Sequence, residues 1–271
     1  VARTGSGTRP SWLPGVIGLV AVIALWWISA LTVFRNAGVG DRGAIPTPLA
    51  VVQKIVEDGI PFYANHVAAT LTEAAIGFLW GNGLALLLSA VVLVLPRTEK
   101  IAMQVAVLTY CVPIVAIGPL IQVVLGAPRG TDPSGTAIVL AALSVFFTTV
   151  VGTLAGLKAA DRSALDVVAV YGGSRFTQLR KVRLVSALPS ILAALQIAVP
   201  SAFLGAVLGE WFGGVQRGVG PALIIAAQAT NIERTWALAL LAGLVAGVGY
   251  VLFGLVARAL APWSRGQAAF S

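Results

Sequence analysis

The stretch KAADRSALDVVAVYGGSRFTQLRKVRLVSALP, residues 158–189, is the only long polar interruption in an otherwise lipid-soluble chain, and its reading decides how the rest is arranged. Ser163 is followed three residues later by Asp166, so a capped helix is predicted to start at Ser163, with hydroxyl and carboxylate satisfying free amides of the first turn. Gly172 and Gly173 then end it at little conformational cost. Ser174 is placed to cap a second short helix, in which Phe176, Leu179 and Val182 fall on one side while Arg175, Arg180, Lys181 and Arg183 spread over the rest. The expectation is two short helices at an angle, hung between two membrane spans.

Composition points the same way. With 58% hydrophobic residues, 10% charged residues and a mean hydropathy of +0.93, the chain is predicted to be an all-α integral membrane protein rather than a soluble domain. The net charge of +8 does not imply a nucleic-acid partner, because the basic residues do not cluster with aromatics on a soluble domain. They follow the membrane instead. Six apolar stretches, near 12–34, 68–95, 101–125, 135–157, 188–212 and 235–261, can each cross roughly 30 Å of hydrocarbon as helices. With the N-terminus inside, Arg35, Arg42, Lys54, Arg129, Arg217 and Arg234 fall outside and the other twelve of the 18 basic residues fall inside. That asymmetry predicts both termini in the cytoplasm. The chain then divides into a tail (1–11), an anchor span (12–34), an extracytoplasmic segment (35–67), a core (68–262) that includes the loop 158–187, and a C-terminal tail (263–271).

The first span follows Arg3 and Arg9, and its apolar run through Trp26, Trp27 and Phe34 is longer than a secretory signal core, so it reads as an anchor. In the segment after it, Thr47 and Pro48 form a cap and a first helical residue. Leu49, Val52, Ile55 and Val56 recur at helical spacing, predicting an amphipathic helix on the outer membrane face. Glu73 lies in the second span, where a carboxylate costs about 2.5–3.5 kcal/mol in lipid against about 0.3–0.6 kcal/mol returned by each Leu or Ile. It must face protein, water or the outer interface, and helix packing and pathway lining both remain open for it. Thr70, Thr72, Gly77, Gly81 and Gly83 suit close helix contact in the same span. Pro113 and Pro119 interrupt the third span and Pro200 the fifth, each predicted to bend its helix. Glu210 and Trp211 are expected at the outer interface, and Asn231, Glu233 and Arg234 in a solvated turn.

Several chemistries have no residues to carry them. No GxxxxGK(S/T) phosphate loop occurs, and the glycines before Lys158 have neither its spacing nor a following Ser or Thr. His66 is the one histidine, which excludes paired-histidine metal motifs, and no serine forms a triad pattern with it. Cys111 is alone, inside a predicted span, so neither an intrachain disulfide nor a cysteine metal site is available. No catalytic residue and no metal ligand set is predicted, and the chain is read as a non-enzyme.

The loop resembles the EAA loop of permease subunits of bacterial ABC importers: an acid at Asp166, a glycine at Gly172, and an ending through Val182, Leu184 and Ala187-Leu188-Pro189. Val167 and Val168 stand where that family has alanines, and Val185 where proline is usual. Ile45-Pro46-Thr47-Pro48, the proline-broken third span and the Glu210 segment before Gly213, Gly214, Gly218 and Gly220 are similar to the nitrate/sulfonate/taurine group of that family. That group also includes transporters for pyrimidine precursors of thiamine. The resemblance covers about residues 45–262. It implies a type I importer permease in the bacterial inner membrane, paired with a second permease subunit of the same sequence, with a cytoplasmic ATPase dimer below and an extracytoplasmic solute-binding protein above. No cofactor is expected in this chain, since ATP and Mg would be held by the ATPase. The ATPase-coupling residues implied are Asp166, Val167, Val168, Tyr171, Gly172, Gly173, Ser174, Arg175 and Phe176, and Glu73, Pro113, Pro119, Pro200 and Glu210 are candidates for pathway or gate. Two alternatives stay open: a proton-coupled secondary transporter using Glu73 or Glu210, and a non-transporting membrane scaffold.

Overall fold

A bilayer core holds no water to pair with backbone amides, which restricts a chain this apolar to helices or a closed barrel. The computed structural model describes residues 13–35, 37 and 43–263, except for the Arg175 side chain, and takes the helical solution, with no strand among the described residues. Arg3, Arg9, Arg42 and Arg265, the predicted N-terminal tail and residues 264–271 lie outside the described residues.

Five helices are long and apolar enough to cross a membrane: α1 (Leu13–Leu31), α3 (Ile60–Val94), α6 (Gly135–Lys158), α9 (Leu184–Phe212) and α11 (Ile232–Leu260). Between α3 and α6, α4 (Glu99–Cys111) and α5 (Ile114–Leu125) make a sixth span bent by 91°. The break falls at Pro113, with Val112 extended before it, because proline has no N–H to give and disfavours helix in the residue preceding it. Pro119 stays inside α5, preceded by Gly118, whose missing Cβ removes part of that conflict. Pro200 and Pro189 both lie within an uninterrupted α9. Of the three prolines expected to bend their spans, Pro113 alone ends a helix.

Three shorter helices are α2 (Pro48–Asp58), α7 (Arg162–Val170) and α10 (Val219–Gln228), the last with its first turn buried among the spans. The second loop helix, α8 (Arg175–Gln178), corrects the expectation of two separate short helices. It runs through a π-helical turn, Leu179–Arg183, into α9, so that Phe176–Phe212 is continuous. No Gly or Pro lies between Ser174 and Pro189 to stop it. The second span also starts earlier than expected, at Ile60 rather than near 68. At about 1.5 Å per residue α3 is roughly 50 Å long, so it overhangs a hydrocarbon layer of about 30 Å. Thr47 caps α2 as predicted, its Oγ1 accepting from the Ala50 amide at 3.2 Å with Pro48 at the first helical position. The protein-facing side of α2 is nevertheless Val51 and Ile55, while Leu49, Val52 and Val56 point away from the bundle.

The centre of the bundle is α6, which packs most extensively on α9 and α3. Lipid tails are as apolar as side chains, so such packing depends on close approach rather than on exclusion of water. Small residues provide it: a Cβ on Gly81 of α3 would meet Val145 and the Ala142 backbone of α6, and one on Gly209 of α9 would meet the Thr136 and Ala137 backbone. Gly83, two residues from Gly81, faces open space.

Gly81→Ala is therefore expected to destabilise the protein by about 1–3 kcal/mol through overpacking, whereas Gly83→Ala is neutral or slightly stabilising through helix propensity. Thermal unfolding of the two purified variants in detergent checks this, and equal shifts would count against the packing described.

Candidate functional site

At the end of the bundle that carries the 158–187 loop, the cap of α7 lies two residues before the predicted one. Asp161, not Ser163, is the N-cap: its carboxylate accepts from the Ser163 amide at 3.0 Å and from the Ser163 hydroxyl at 2.6 Å. Those two donors hold the exposed Asp161 carboxyl below its ordinary range. Asp166 is exposed and makes no hydrogen bond or ion pair among the described residues. The C-terminus follows the sequence. Gly172 has φ +77°, its amide donates to the Ala169 carbonyl at 2.9 Å, and the Gly173 amide donates to the Val168 carbonyl at 2.8 Å. This is a Schellman stop, which favours glycine at the left-handed position. A Cβ on Gly173 would also strike the Val168 carbonyl, so the two glycines are needed for different reasons.

Ser174 then caps α8 as predicted, accepting from the Thr177 amide at 3.3 Å, and Gln178 straps α8 to α7 by donating to the Leu165 carbonyl at 3.2 Å. Lys158 at the end of α6 pairs with Glu99 at the start of α4. What the strapped loop presents is apolar: Val167, Val170, Tyr171 and Phe176 are 56%, 84%, 87% and 70% exposed. Val168 is half-buried behind them. The Arg175 side chain lies outside the described residues.

At the far end the two acids of the spans meet. Glu210, expected at an interface, is buried, accepting from the Thr70 hydroxyl and from the Gly220 amide, each at 2.6 Å. Glu73 is buried beside it and accepts from the Ser134 amide at 2.6 Å. Thr70 in turn accepts from the Val219 amide at 2.9 Å, and His66 Nδ1 accepts from the Gly218 amide at 3.1 Å. All four amides belong to the first turns, or the residue before, of α6 and α10, where a helix has no internal acceptor for its N–H groups. The carboxylates thus serve as caps contributed by other helices. The second Glu73 oxygen accepts no hydrogen bond among the described residues, and Glu73 lines a cavity of about 290 Å³ together with Thr72, Asp132 and Arg217. Pro113, Pro119 and Pro200 take no part in these hydrogen bonds, although α5 lies against the end of α9 where Gly118 meets the Phe212 ring.

The turn expected to be solvated at Asn231, Glu233 and Arg234 is a clamp. Asn231 caps α11 by accepting from the Arg234 amide at 3.1 Å, and the Arg234 guanidinium takes both oxygens of Asp58. The Tyr63 hydroxyl donates to the same carboxylate at 3.0 Å, and Lys54 lies 3.3 Å from it. Arg234, Tyr63 and Lys54 together outweigh the effect of burial and hold the Asp58 carboxyl down to about 2. Asp58, Tyr63, His66, Thr70 and Ser134 were not among the predicted site residues.

Residues 68–266 match the family model described as "Binding-protein-dependent transport system inner membrane component". The chain belongs to this family. As such it is a permease component of ABC importers, a multi-pass inner-membrane protein, and a transport subunit rather than an enzyme. The permease is 28% identical over 258 residues to SsuC of Bacillus subtilis (strain 168), a protein named for aliphatic sulfonates transport, covering 94% of this chain and 89% of that one. It is 27% identical over 192 residues to ThiX of Halalkalibacterium halodurans, a formylaminopyrimidine transport permease protein, covering 71% and 72% of the two chains. Its fold is that of a chain of the MetNI methionine ABC transporter solved in inward-facing conformations, with a TM-score of 0.55 at 17% identity, covering 74% of this permease and 94% of that chain.

Two outcomes follow for the permease. Glu210→Ala leaves the buried Gly220 amide without its acceptor and is expected to cost about 1–3 kcal/mol, read as a lower unfolding temperature, with Glu210→Gln milder because one acceptor oxygen remains. Asp58 ionises in the folded protein below its ordinary value of 3.8, so its contribution is complete above that value and is lost as pH falls through about 2. The gap in unfolding temperature between wild type and Asp58→Asn is expected to close as pH falls over this window, and a pH-independent gap would contradict the clamp.

Proposed function

We propose that this permease lines the translocation pathway of an ATP-driven importer and that α7 is the piece through which a separate cytoplasmic ATPase moves it. The carrying observation is the exposed apolar set Val167, Val170, Tyr171 and Phe176 on a loop that is otherwise polar and basic. Apolar side chains held out of the bundle by caps, a Schellman stop and the Gln178 strap suit burial against a partner. Asp166, Gly172 and Gly173 shape that surface, and Ser174 fixes the exit into α8. Because α8 continues into α9, a push on α7 is delivered to a span that packs on α6, α3 and α11.

In this reading the loop faces the cytoplasm with both termini, a second copy of the chain completes the pathway, ATP and Mg are held by the ATPase dimer, and a solute-binding protein docks on the opposite face. The two conformations differ in population because ATP and the loaded binding protein favour different states, since a ligand of equal affinity for both shifts nothing. The solute of this reading is small and polar or anionic, of the sulfonate, taurine or nitrate kind, or a pyrimidine-type vitamin precursor; the names of the relatives support the sulfonate and pyrimidine options. Glu210 has both oxygens engaged by Thr70 and Gly220, which gives it a capping role independent of proton movement.

Uptake into vesicles holding the permease with its ATPase and binding protein tests the proposal. Tyr171→Ala, at an exposed position that leaves unfolding temperature unchanged, is expected to weaken ATPase association by about tenfold or more, as an aromatic interface anchor does. Gly172→Leu is expected to lower uptake by straining the left-handed stop. Uptake that persists without the ATPase and follows an imposed proton gradient would overturn it.

A further inference from the structure

At the loop end two cavities lie side by side behind α7. One, of about 370 Å³, is lined by Lys158, Arg162 and Arg183 together with Glu99. The other, of about 480 Å³, is lined mainly by Leu93, Val94, Phe176 and Leu179. Leu93, Pro96 and Arg183 border both, so the two are continuous along one wall. Three cations face one acid in the first cavity, and Glu99 is already paired with Lys158. Arg162 and Arg183 have neither a hydrogen bond nor an ion pair among the described residues. A concave site with two uncompensated guanidinium groups is complementary to an anion, and the planar fork of arginine suits a phosphate.

The placement identifies what carries that anion. Val94 and Lys158 are the last residues of α3 and α6, so the cationic cavity lies at the height where two apolar spans end and headgroups begin. The apolar cavity runs beside the last turn of α3, with Leu93, Val94, Phe176 and Leu179 as an apolar wall next to the cationic cavity. Leu165 of α7 lines the cationic cavity, whereas Val167, Val170 and Tyr171 are exposed. The α7 part of the surface assigned to the ATPase, Val167, Val170 and Tyr171, therefore remains free when these cavities are filled, and Phe176 stands between that surface and the apolar cavity.

We propose that the paired cavities form one binding site for an anionic phospholipid, its phosphate between Arg162 and Arg183 and an acyl chain along Leu93, Val94 and Leu179. The bound lipid is a wedge between α7 and the ends of α3 and α6, and it sets the height at which α7 is held. Only the choice of leaflet rests on the cytoplasmic reading of the loop.

The test uses the full chain assembled with its ATPase, in nanodiscs of phosphatidylcholine with a minority of phosphatidylglycerol, and counts by native mass spectrometry the lipids retained on release. Wild type is expected to retain phosphatidylglycerol over phosphatidylcholine. The double substitution R162Q/R183Q is expected to lower retention by about thirty-fold, the factor for two basic groups at ~1 kcal/mol each, and R162K/R183K to restore most of it. R180Q/K181Q removes the same charge from exposed residues that border neither cavity and is expected to leave retention unchanged. Three results would overturn the site: equal retention of both lipids by wild type, which needs no variant to fold; equal loss in R180Q/K181Q, which means diffuse attraction; or displacement of phosphatidylglycerol by inorganic phosphate alone, which means a free-phosphate site. ATPase association is read separately, so failure of lipid binding is distinguishable from failure of coupling.

Discussion

A backbone N–H inside a bilayer has no water to turn to, and leaving one unpaired costs several kcal/mol. Within the spans the helices discharge this requirement themselves. It returns wherever a helix starts inside the protein, because its first N–H groups have no acceptor behind them. In this permease the problem is concentrated at the starts of α6 and α10, and the acceptors come from elsewhere: Glu73 for Ser134, Glu210 for Gly220, Thr70 for Val219 and His66 for Gly218. The buried acids thereby have a structural account that does not require substrate. They also join α3, α6, α9 and α10 at one level of the bundle, 140 residues apart in the case of Thr70 and Glu210.

The second consequence is that the spans must meet closely, since packing rather than water exclusion holds them. Glycine at the α3–α6 and α6–α9 contacts lets the backbones approach, and Asn82 and Thr149 add a buried hydrogen bond between α3 and α6. A rigid central trio results, with α1 and α2 at its edge, where Trp26 of α1 stacks on Trp236 of α11. Motion applied at the loop enters this trio directly because α8, the π-helical turn and α9 are one continuous helix.

How much of this was legible depended on whether the deciding residue acts locally. Pro113 broke its span, Thr47 and Pro48 started α2, and Gly172 with Gly173 stopped α7, since each works through its own backbone. The start of α7 was misplaced because Asp161 and Ser163 are both competent caps, and the Ser163–Asp166 spacing imitates a capping box that the chain does not use. The continuity of α8 with α9 was written in the absence of any breaker before Pro189, but the basic run masked it. The clamp between Asp58 and Arg234 spans 176 residues, beyond the reach of any periodicity, so a polar turn stood in for a half-buried ion pair.

The account turns on a small apolar surface held away from the bundle by local hydrogen bonds and continuous, through α8, with a packed span. Cross-linking from Tyr171→Cys in a Cys111→Ser background, in membranes containing the assembled transporter, addresses it most directly. A bridge to the ATPase subunit whose yield changes on ATP addition is the result expected. A cysteine that links to no ATPase, or that is labelled by a membrane-impermeant reagent only from the outer side, would contradict it.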